Sequence, residues 1–280
     1  MRLRLVVFAC LGLVLASRGA GSAQDQPKPL DEAQVKELGL SLSSRPEYTE
    51  GRYGTRRTTE ILYVPFKLEW SVTNRFELSL TVPYIREHGQ NIFAIIGGRV
   101  PRAPQPVSTR RQPPPGRATT EEGLGDVLLQ GSYILLEEKG LRPEVSGFAE
   151  IKFPTADSSK GLGTGEFDET IGLGLEKKFD TWTTSLDASY TFVGSPPGAS
   201  LDNSFGWSAG LAYDAVSWLR VSSTLEGATA ITRHQPNPLD VRVVAEFALG
   251  DRVKLKAGAL KGLSNGSPNF GAIAGLEVSF

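Results

Sequence analysis

The strongest constraint in this sequence is a strict alternation of apolar and other side chains, which the last eleven residues show most clearly. From Phe270 to Phe280 every second residue is apolar, and the residues between them are mostly small or polar. A period of two is that of a β-strand, whose successive side chains point to opposite faces. The segment therefore predicts a strand with two unlike faces that ends on an aromatic residue.

The same alternation recurs in ten further segments, and no segment has a convincing helical period. The connections between these segments are alternately short and long, as in outer-membrane barrels, which have short periplasmic turns and longer external loops. The first strong strand, Thr58–Val72, ends in a short turn at Thr73-Asn74. Another strand must therefore precede it, and Lys36–Ser43 is the candidate. The pattern predicts twelve strands, both chain ends on the periplasmic side, and residues 87–122 as the longest external loop.

Alternation alone does not tell which face points outward, but two observations favour a membrane barrel over a soluble one. Aromatic residues concentrate at both ends of the strands, around an aliphatic band, as the two interfaces of a bilayer select. Twelve strands also enclose more space than side chains alone usually fill. We expect an all-β, twelve-stranded antiparallel transmembrane β-barrel of the outer-membrane type over residues 36–280, with no significant helix in the mature chain.

The N-terminus is typical of a Sec-type signal peptide over residues 1–23. Arg2 and Arg4 precede an apolar run from Leu5 to Leu15, and small residues lead to a cleavage site near Ala23. The run is too short to span a bilayer as a helix. Cys10 lies inside it beside bulky residues, which favours an apolar signal residue over a lipoprotein cysteine. We expect residues 24–35 to be a flexible periplasmic segment, and the protein to lie in the outer membrane of a Gram-negative bacterium.

Three glycine-rich motifs resemble the outer-membrane family called "MetA-pathway of phenol degradation". They are Gly147–Thr155, Gly161–Gly165 and the strand that contains Gly172 and Gly174, and Val82-Pro83-Tyr84 is also similar to that family. The resemblance covers most of Glu60–Phe280; the chain departs from it at Ala156, where a glycine is usual, and in its long Pro/Arg insertion. The resemblance implies uptake of small molecules, aromatic ones among them.

Charged residues of both signs lie on the face that a membrane barrel turns toward its lumen. They fit a salt-bridged interior that stabilises a narrow barrel, and they equally fit a pore with a charged constriction. Because both signs occur, we expect no strong ion selectivity. The candidates for the lumen or transport path are Lys67, Glu69, Glu150, Lys152, Asp187, Arg220, Glu226, Arg242 and Glu246.

Pro65 and Pro83 are predicted to lie nearly opposite each other on neighbouring strands. Proline lacks an N–H and is normally excluded from paired strand interiors. One interpretation is a pair of bulges that bend the strands. The other is a lateral seam, through which an apolar solute leaves the lumen sideways, with Ile61, Tyr63 and Phe148 along its approach.

The predicted long loop contains five arginines and no acidic residue between positions 99 and 117. It fits a solvated external loop, contact with lipopolysaccharide phosphates in the outer membrane lipid, or an inward-folded constriction. Phe280 resembles the terminal assembly signal of outer-membrane barrels, which implies the barrel assembly machinery as a partner. The arginines are Arg99, Arg102, Arg110, Arg111 and Arg117.

The sequence gives little support to catalysis, and we predict no catalytic residue, cofactor or metal ion. The two histidines, His88 and His234, fall in predicted loops, and no nucleophile motif or metal-ligand spacing occurs. Without the signal peptide, 27 basic residues face 31 acidic ones, which does not indicate nucleic-acid binding. We predict a channel for passive uptake of small, aromatic or apolar solutes. The alternatives are a structural or surface-interaction barrel without a conducting pore and, less favoured, an outer-membrane hydrolase.

Overall fold

The computed structural model describes residues 39–55, 57–89, 118–233 and 235–280. The predicted signal peptide, the segment 24–35 and the five arginines of the long loop lie outside these residues. Within them no helix is long and apolar enough to cross a membrane. The described strands are β1 (Leu40–Ser44), β2 (Glu47–Gly51), β3 (Thr59–Ser71), β4 (Phe76–Gly89), β5 (Thr119–Leu124), β6 (Val127–Leu136), β7 (Glu144–Phe153), β8 (Asp168–Phe179), β9 (Trp182–Phe192), β10 (Ser204–Val216), β11 (Leu219–Ala228), β12 (Leu239–Ala248), β13 (Val253–Gly262) and β14 (Phe270–Ser279).

These fourteen strands occupy twelve positions in the wall of a closed antiparallel barrel. β1 and β2 lie one after the other between β14 and β3, and they are separated by Arg45-Pro46. β5 and β6 likewise follow each other along β4, separated by Gly125-Asp126. Pairing of β14 with β1 and β2 closes the sheet on itself. The prediction of a twelve-stranded antiparallel barrel is confirmed.

The two ends of the barrel differ as predicted. Leu40 pairs with Trp70 and Ser41 pairs with Ser279, so both ends of the barrel chain lie at the end where β3 turns into β4. We call this the short-turn end; its other connections include 180–181 and 217–218. The opposite, long-loop end carries the longer connections, among them 154–167 and 193–203.

Two predicted boundaries were wrong. The first wall position does not end at Ser43 but continues through β2 to Gly51, after the interruption at Pro46. The longest connection is not 87–122 but 90–118, because β4 extends to Gly89 and pairs with β5. The outward residues of this extension are polar, with His88 Nδ1 at 2.7 Å from Thr120 Oγ1. Apolar alternation therefore gave no signal there, although the backbone pairing continues.

The outward face of the barrel consists of exposed apolar side chains. Leu173 and Leu186 are both 56% exposed at mid-height, and aromatic rings lie toward both ends. At the short-turn end the rings of Trp182 and Tyr213 pack with centroids 4.5 Å apart, and at the long-loop end those of Tyr190 and Phe192 are 5.0 Å apart. A continuous apolar surface of this extent requires lipid. The barrel is therefore a transmembrane β-barrel with two aromatic girdles.

Candidate functional site

The half of the lumen nearer the long-loop end is closely packed. Ile61, Tyr63 and Ile85 point inward from β3 and β4, and each is at most 1% exposed. Leu162, from the connection 154–167, joins Tyr63 and Ile85 in one apolar cluster. This connection therefore folds over the lumen and covers it from the long-loop side.

Tyr53 fills a second part of the same space from the connection between β2 and β3. Tyr53 and Gly54 both have a positive φ, 46° and 77°, which is unusual for a bulky residue and turns the Tyr53 ring inward. The ring packs against Ile61, and the hydroxyl donates a hydrogen bond to Thr49 Oγ1 at 2.7 Å. Burial raises the pKa of the Tyr53 phenol, so the group stays neutral.

A buried ion cluster holds the covering connection in place. Lys152 Nζ lies 2.9 Å from Asp168 and 3.2 Å from Asp126, and all three side chains are at most 4% exposed. Lys152 also donates to Thr164 Oγ1, and Asp126 Oδ1 accepts from the backbone N–H of Ala156. Since Ala156 and Thr164 both belong to 154–167, this cluster links that connection to β7, β8 and the Gly125-Asp126 interruption.

A second buried cation joins distant parts of the wall. The Arg242 guanidinium, on β12, hydrogen-bonds to Glu47 on β2, although β13 and β14 lie between these strands. It also contacts Glu226 at 3.1 Å and Asp240 at 3.4 Å. Arg242 and Glu47 are 6% and 0% exposed. The ion pair therefore connects two strands of the wall across one side of the lumen, near the long-loop end.

The half of the lumen nearer the short-turn end is charged and more open. Lys256 bridges Glu246 and Glu277, and Lys254 contacts the same two carboxylates. These four side chains stay 18–43% exposed inside the barrel. Further lumen pairs, Lys67–Glu69 and Arg220–Asp214, are exposed to a similar degree. Partly exposed ions on an inner surface indicate space that water can fill.

The middle of strands β8 to β10 lines the lumen with small residues, among them Gly172, Gly174 and Ser189, beside two larger side chains. Phe148 on β7 pairs with Gly172 and extends over it, because a Cβ at Gly172 would overlap the Phe148 ring. Asp187 on β9 pairs with Gly174 and accepts a hydrogen bond from Ser208 Oγ at 2.7 Å. Both larger side chains are partly exposed.

The two prolines do not mark an opening between β3 and β4. Pro65 and Pro83 are directly opposite, and pairing continues without a register shift from Thr59–Gly89 to Ser71–Glu77. The Pro83 carbonyl accepts from Gly125 N at 2.8 Å, and the N–H and C=O of a residue in an antiparallel strand point to the same neighbour. Both missing donors therefore point away from the shared ladder. The lateral seam between these two strands is thus a wrong prediction.

Each proline instead lies beside a break in the next strand. Pro83 lies beside the Gly125-Asp126 interruption between β5 and β6. Pro65 lies between Tyr63, which pairs with Glu47, and Phe66, which pairs with Ser44, so it lies opposite Arg45-Pro46. A residue without an N–H is tolerated where the neighbouring strand offers no regular acceptor.

The structure sorts the predicted lumen residues into two groups. Lys152, Glu150, Glu226 and Arg242 lie in the packed half, and Lys67, Glu69, Arg220 and Glu246 lie in the open half. Asp187, the ninth, lies between them at the middle of β9. Sequence reasoning missed the main acidic partners, which are Glu47, Asp126, Asp168 and Asp240. Asp126 and Asp240 showed the lumen-facing parity, but Glu47 and Asp168 lay outside the predicted strands and gave no signal. Within the described residues, no three His, Cys, Asp or Glu side chains could hold a metal ion.

A polar recess of about 760 Å³ opens among the connections of the long-loop end. Arg52, Thr55, Gln235, Asn265 and Asn269 are among the residues that line it. These side chains offer hydrogen-bond donors and acceptors, and Pro236 also lines the recess. The recess therefore has the character of a hydrated vestibule.

Comparison with known proteins agrees with this architecture. The family model described as "Putative MetA-pathway of phenol degradation" matches residues 43–280. The chain is similar in structure to an outer membrane channel from Pseudomonas putida F1, with a TM-score of 0.65, 13% identity and coverage of 90% of this chain and 100% of that one. A search of curated proteins found no match.

Two further solved structures have the same kind of barrel. The translocator domain of the autotransporter NalP from Neisseria meningitidis has a TM-score of 0.53 and 10% identity, over 89% of this chain and 94% of that one. The NanC porin has a TM-score of 0.51 and 12% identity, over 85% of this chain and 100% of that one. Because these proteins differ in what they do, likeness at such identities shows the fold alone.

Proposed function

This chain belongs to the MetA-pathway of phenol degradation family, and we propose that it is a non-enzymatic outer-membrane channel for passive diffusion of small solutes, aromatic compounds among them. The observation that carries the proposal is the partly exposed ionic network inside the short-turn half of the lumen. A barrel with a purely structural role would gain more from a filled apolar interior, since half-hydrated ion pairs add little stability. The packed long-loop half then represents a closed state that must open for passage.

Conductance in planar bilayers tests the proposal. We expect the purified, folded barrel to give stepwise currents in KCl, whereas the heat-unfolded protein gives none. A folded barrel that produces no steps over a range of voltages would favour the structural alternative. Transport of an aromatic solute would then be tested in cells that carry or lack the protein.

The charge distribution predicts a modest preference of this current for cations. The packed half holds seven carboxylates and two buried cations, Lys152 and Arg242, whereas the ion pairs of the open half match four cations with four carboxylates. Excess negative charge in a low-dielectric wall attracts cations into the pore. In a KCl gradient the reversal potential should shift toward the K⁺ equilibrium potential; a shift toward that of Cl⁻ would contradict this. The carboxylates are Glu47, Glu87, Asp126, Glu150, Asp168, Glu226 and Asp240.

We also propose the cellular context. The N-terminal 23 residues direct Sec-type export and are removed near Ala23, residues 24–35 remain in the periplasm, and the short-turn end faces the periplasm. The arginines between positions 99 and 117 would then lie outside the cell, where guanidinium groups suit the phosphates of lipopolysaccharide. The terminal aromatic residue would be recognised by the barrel assembly machinery.

Deletion of Phe280 should strongly reduce assembly. The Phe280 N–H donates to the Leu40 carbonyl at 3.0 Å, where the last strand meets the first, and its ring is 45% exposed at the short-turn girdle. The deletion removes both the interface aromatic and a bond at the closing pair. We expect lower levels of heat-modifiable barrel in outer-membrane fractions, with Phe280→Tyr as the control that retains an aromatic ring. Wild-type levels of the truncated protein would refute the role.

A further inference from the structure

We propose that Phe148 and Asp187, placed over Gly172 and Gly174, form a binding site in the lumen for neutral aromatic solutes with a hydroxyl group, that is, phenols. The proposal rests on the proposed channel function and names the solute class and the residues that select it. Phe148 would stack on the ring of the solute, and the Asp187 carboxylate would accept a hydrogen bond from the hydroxyl group of the solute.

Two glycines on β8 create the space for these side chains. A Cβ on Gly172 would overlap the Phe148 ring, and a Cβ on Gly174 would lie 3.0 Å from Asp187 Oδ1. Both side chains are cross-strand partners of the glycine that they cover, Phe148 from β7 and Asp187 from β9. An aromatic ring lying over a glycine of the next strand has a fixed position on the wall, because no side chain separates it from the backbone.

The spacing of the two groups matches a single substituted ring. Positions two residues apart on one strand point to the same face and are about 7 Å apart. Gly172 and Gly174 are such a pair on β8. Because the Phe148 ring covers the first and Asp187 Oδ1 lies beside the second, the ring and the carboxylate are set apart by about the length of one phenol molecule. The neighbouring wall leaves room for the solute, since Ser189 pairs with Gly172 on one side and with Gly206 on the other.

The electrostatic surroundings of Asp187 favour a neutral donor. Ser208 donates to Asp187 Oδ2, which orients the carboxylate and leaves Oδ1 on the side of Gly174. Within the described part of the chain, Asp187 has no basic side chain at ion-pair distance, in contrast to Asp126 and Asp168. A carboxylate only accepts hydrogen bonds, and bonds to an ionised acceptor are stronger than neutral ones. The Asp187 carboxylate would repel aromatic anions such as benzoate.

Block of the single-channel current by three small solutes tests this site. Phenol has both a ring and a donor, anisole has the ring without the donor, and cyclohexanol has the donor without the ring. We expect phenol to block at a concentration about threefold to tenfold lower than either of the other two, from one ring contact and one charge-assisted hydrogen bond.

Two variants should change these ratios in a crossed pattern. In Phe148→Leu, phenol and cyclohexanol should block at nearly the same concentration, whereas the ratio of the blocking concentrations of phenol and anisole should stay as in the wild type. In Asp187→Ala, phenol and anisole should block at nearly the same concentration, whereas the ratio of the blocking concentrations of phenol and cyclohexanol should stay as in the wild type. Phe205→Leu, which changes an outward-facing ring, and Glu77→Ala, which removes another lumen carboxylate, are the matched controls and should leave both ratios unchanged.

The outcomes separate this proposal from the proposed function. A wild-type channel that conducts but does not prefer phenol, or variants that lower both ratios equally, would overturn the site and leave the channel function standing. If no current is observed, saturation-transfer NMR with the same solutes and the detergent-solubilised barrel decides. Crossed loss of phenol binding there would support the site without the channel, and unchanged binding in both variants would overturn it.

Discussion

Replacing Arg242 with methionine should destabilise the barrel by about 3–5 kcal/mol, because the substitution leaves buried carboxylates without their cation. Glu47 and Asp240 are nearly inaccessible to water, and Glu226 is 18% exposed. The substitution retains the length and most of the packing of the arginine stem. The lost contacts are therefore those of the guanidinium group with the three acids.

The free energy of unfolding, measured by denaturant titration of the barrel in lipid or detergent, gives the size of this effect. Arg220→Met is the matched control, since Arg220 pairs with Asp214 while 36% of its side chain is exposed. An ion pair exposed to that degree contributes about 0–1 kcal/mol. Equal losses in the two variants would contradict the role assigned to the buried cluster.

A second variant distinguishes loss of charge balance from loss of shape. Combining Arg242→Met with Glu47→Gln removes the buried cation together with its closest carboxylate. We expect the double variant to recover part of the lost stability, because fewer uncompensated charges remain buried. A double variant less stable than Arg242→Met alone would show that Glu47 acts through other contacts.

The sequence predicted the barrel well because the bilayer imposes one simple rule on every strand. Outward residues must be apolar where they meet lipid, so alternation located the wall between the two aromatic girdles. The rule does not apply to parts of a strand that extend beyond the bilayer. β5 was therefore missed: its six residues, Thr119–Leu124, are mostly polar, and it is held by backbone pairing with β4. The extension of the first wall position through β2 was missed for the same reason.

The candidate site was less predictable, because it depends on register and on loops that fold inward. The sequence placed Lys152 and Arg242 on the lumen face but did not indicate which acids bind them, because partners such as Asp168 and Glu47 come from other strands. Nothing in residues 154–167 indicated that Leu162 would pack on Tyr63 and Ile85. The two prolines show how far such a prediction reaches. The pairing of Pro65 with Pro83 across β3 and β4 was predicted to within one residue. Their effect, however, depends on which neighbour each missing N–H would face.

Replacing Lys152 with methionine should open the long-loop half of the channel. The Lys152 ammonium holds Asp126 and Asp168 together and donates to Thr164, and Asp126 in turn binds the Ala156 N–H. Without the cation, two carboxylates that are at most 4% exposed must gain water. The least costly response is displacement of the connection 154–167, which withdraws Leu162 from the lumen. We expect a larger unitary conductance in planar bilayers and a loss of stability of about 3 kcal/mol.

Lys160→Met provides the control within the same connection. The Lys160 side chain is exposed, and among the described residues it donates to the Glu122 carbonyl at 3.2 Å, so its loss should leave both conductance and stability near those of the wild type. Adding Asp126→Asn and Asp168→Asn to Lys152→Met removes the uncompensated charge and should return the conductance toward the wild-type value. If Lys152→Met lowers stability but leaves the conductance unchanged, the connection 154–167 covers the lumen without controlling passage. The closed state must then be maintained by other contacts in the packed half, such as those of Tyr53 with Ile61.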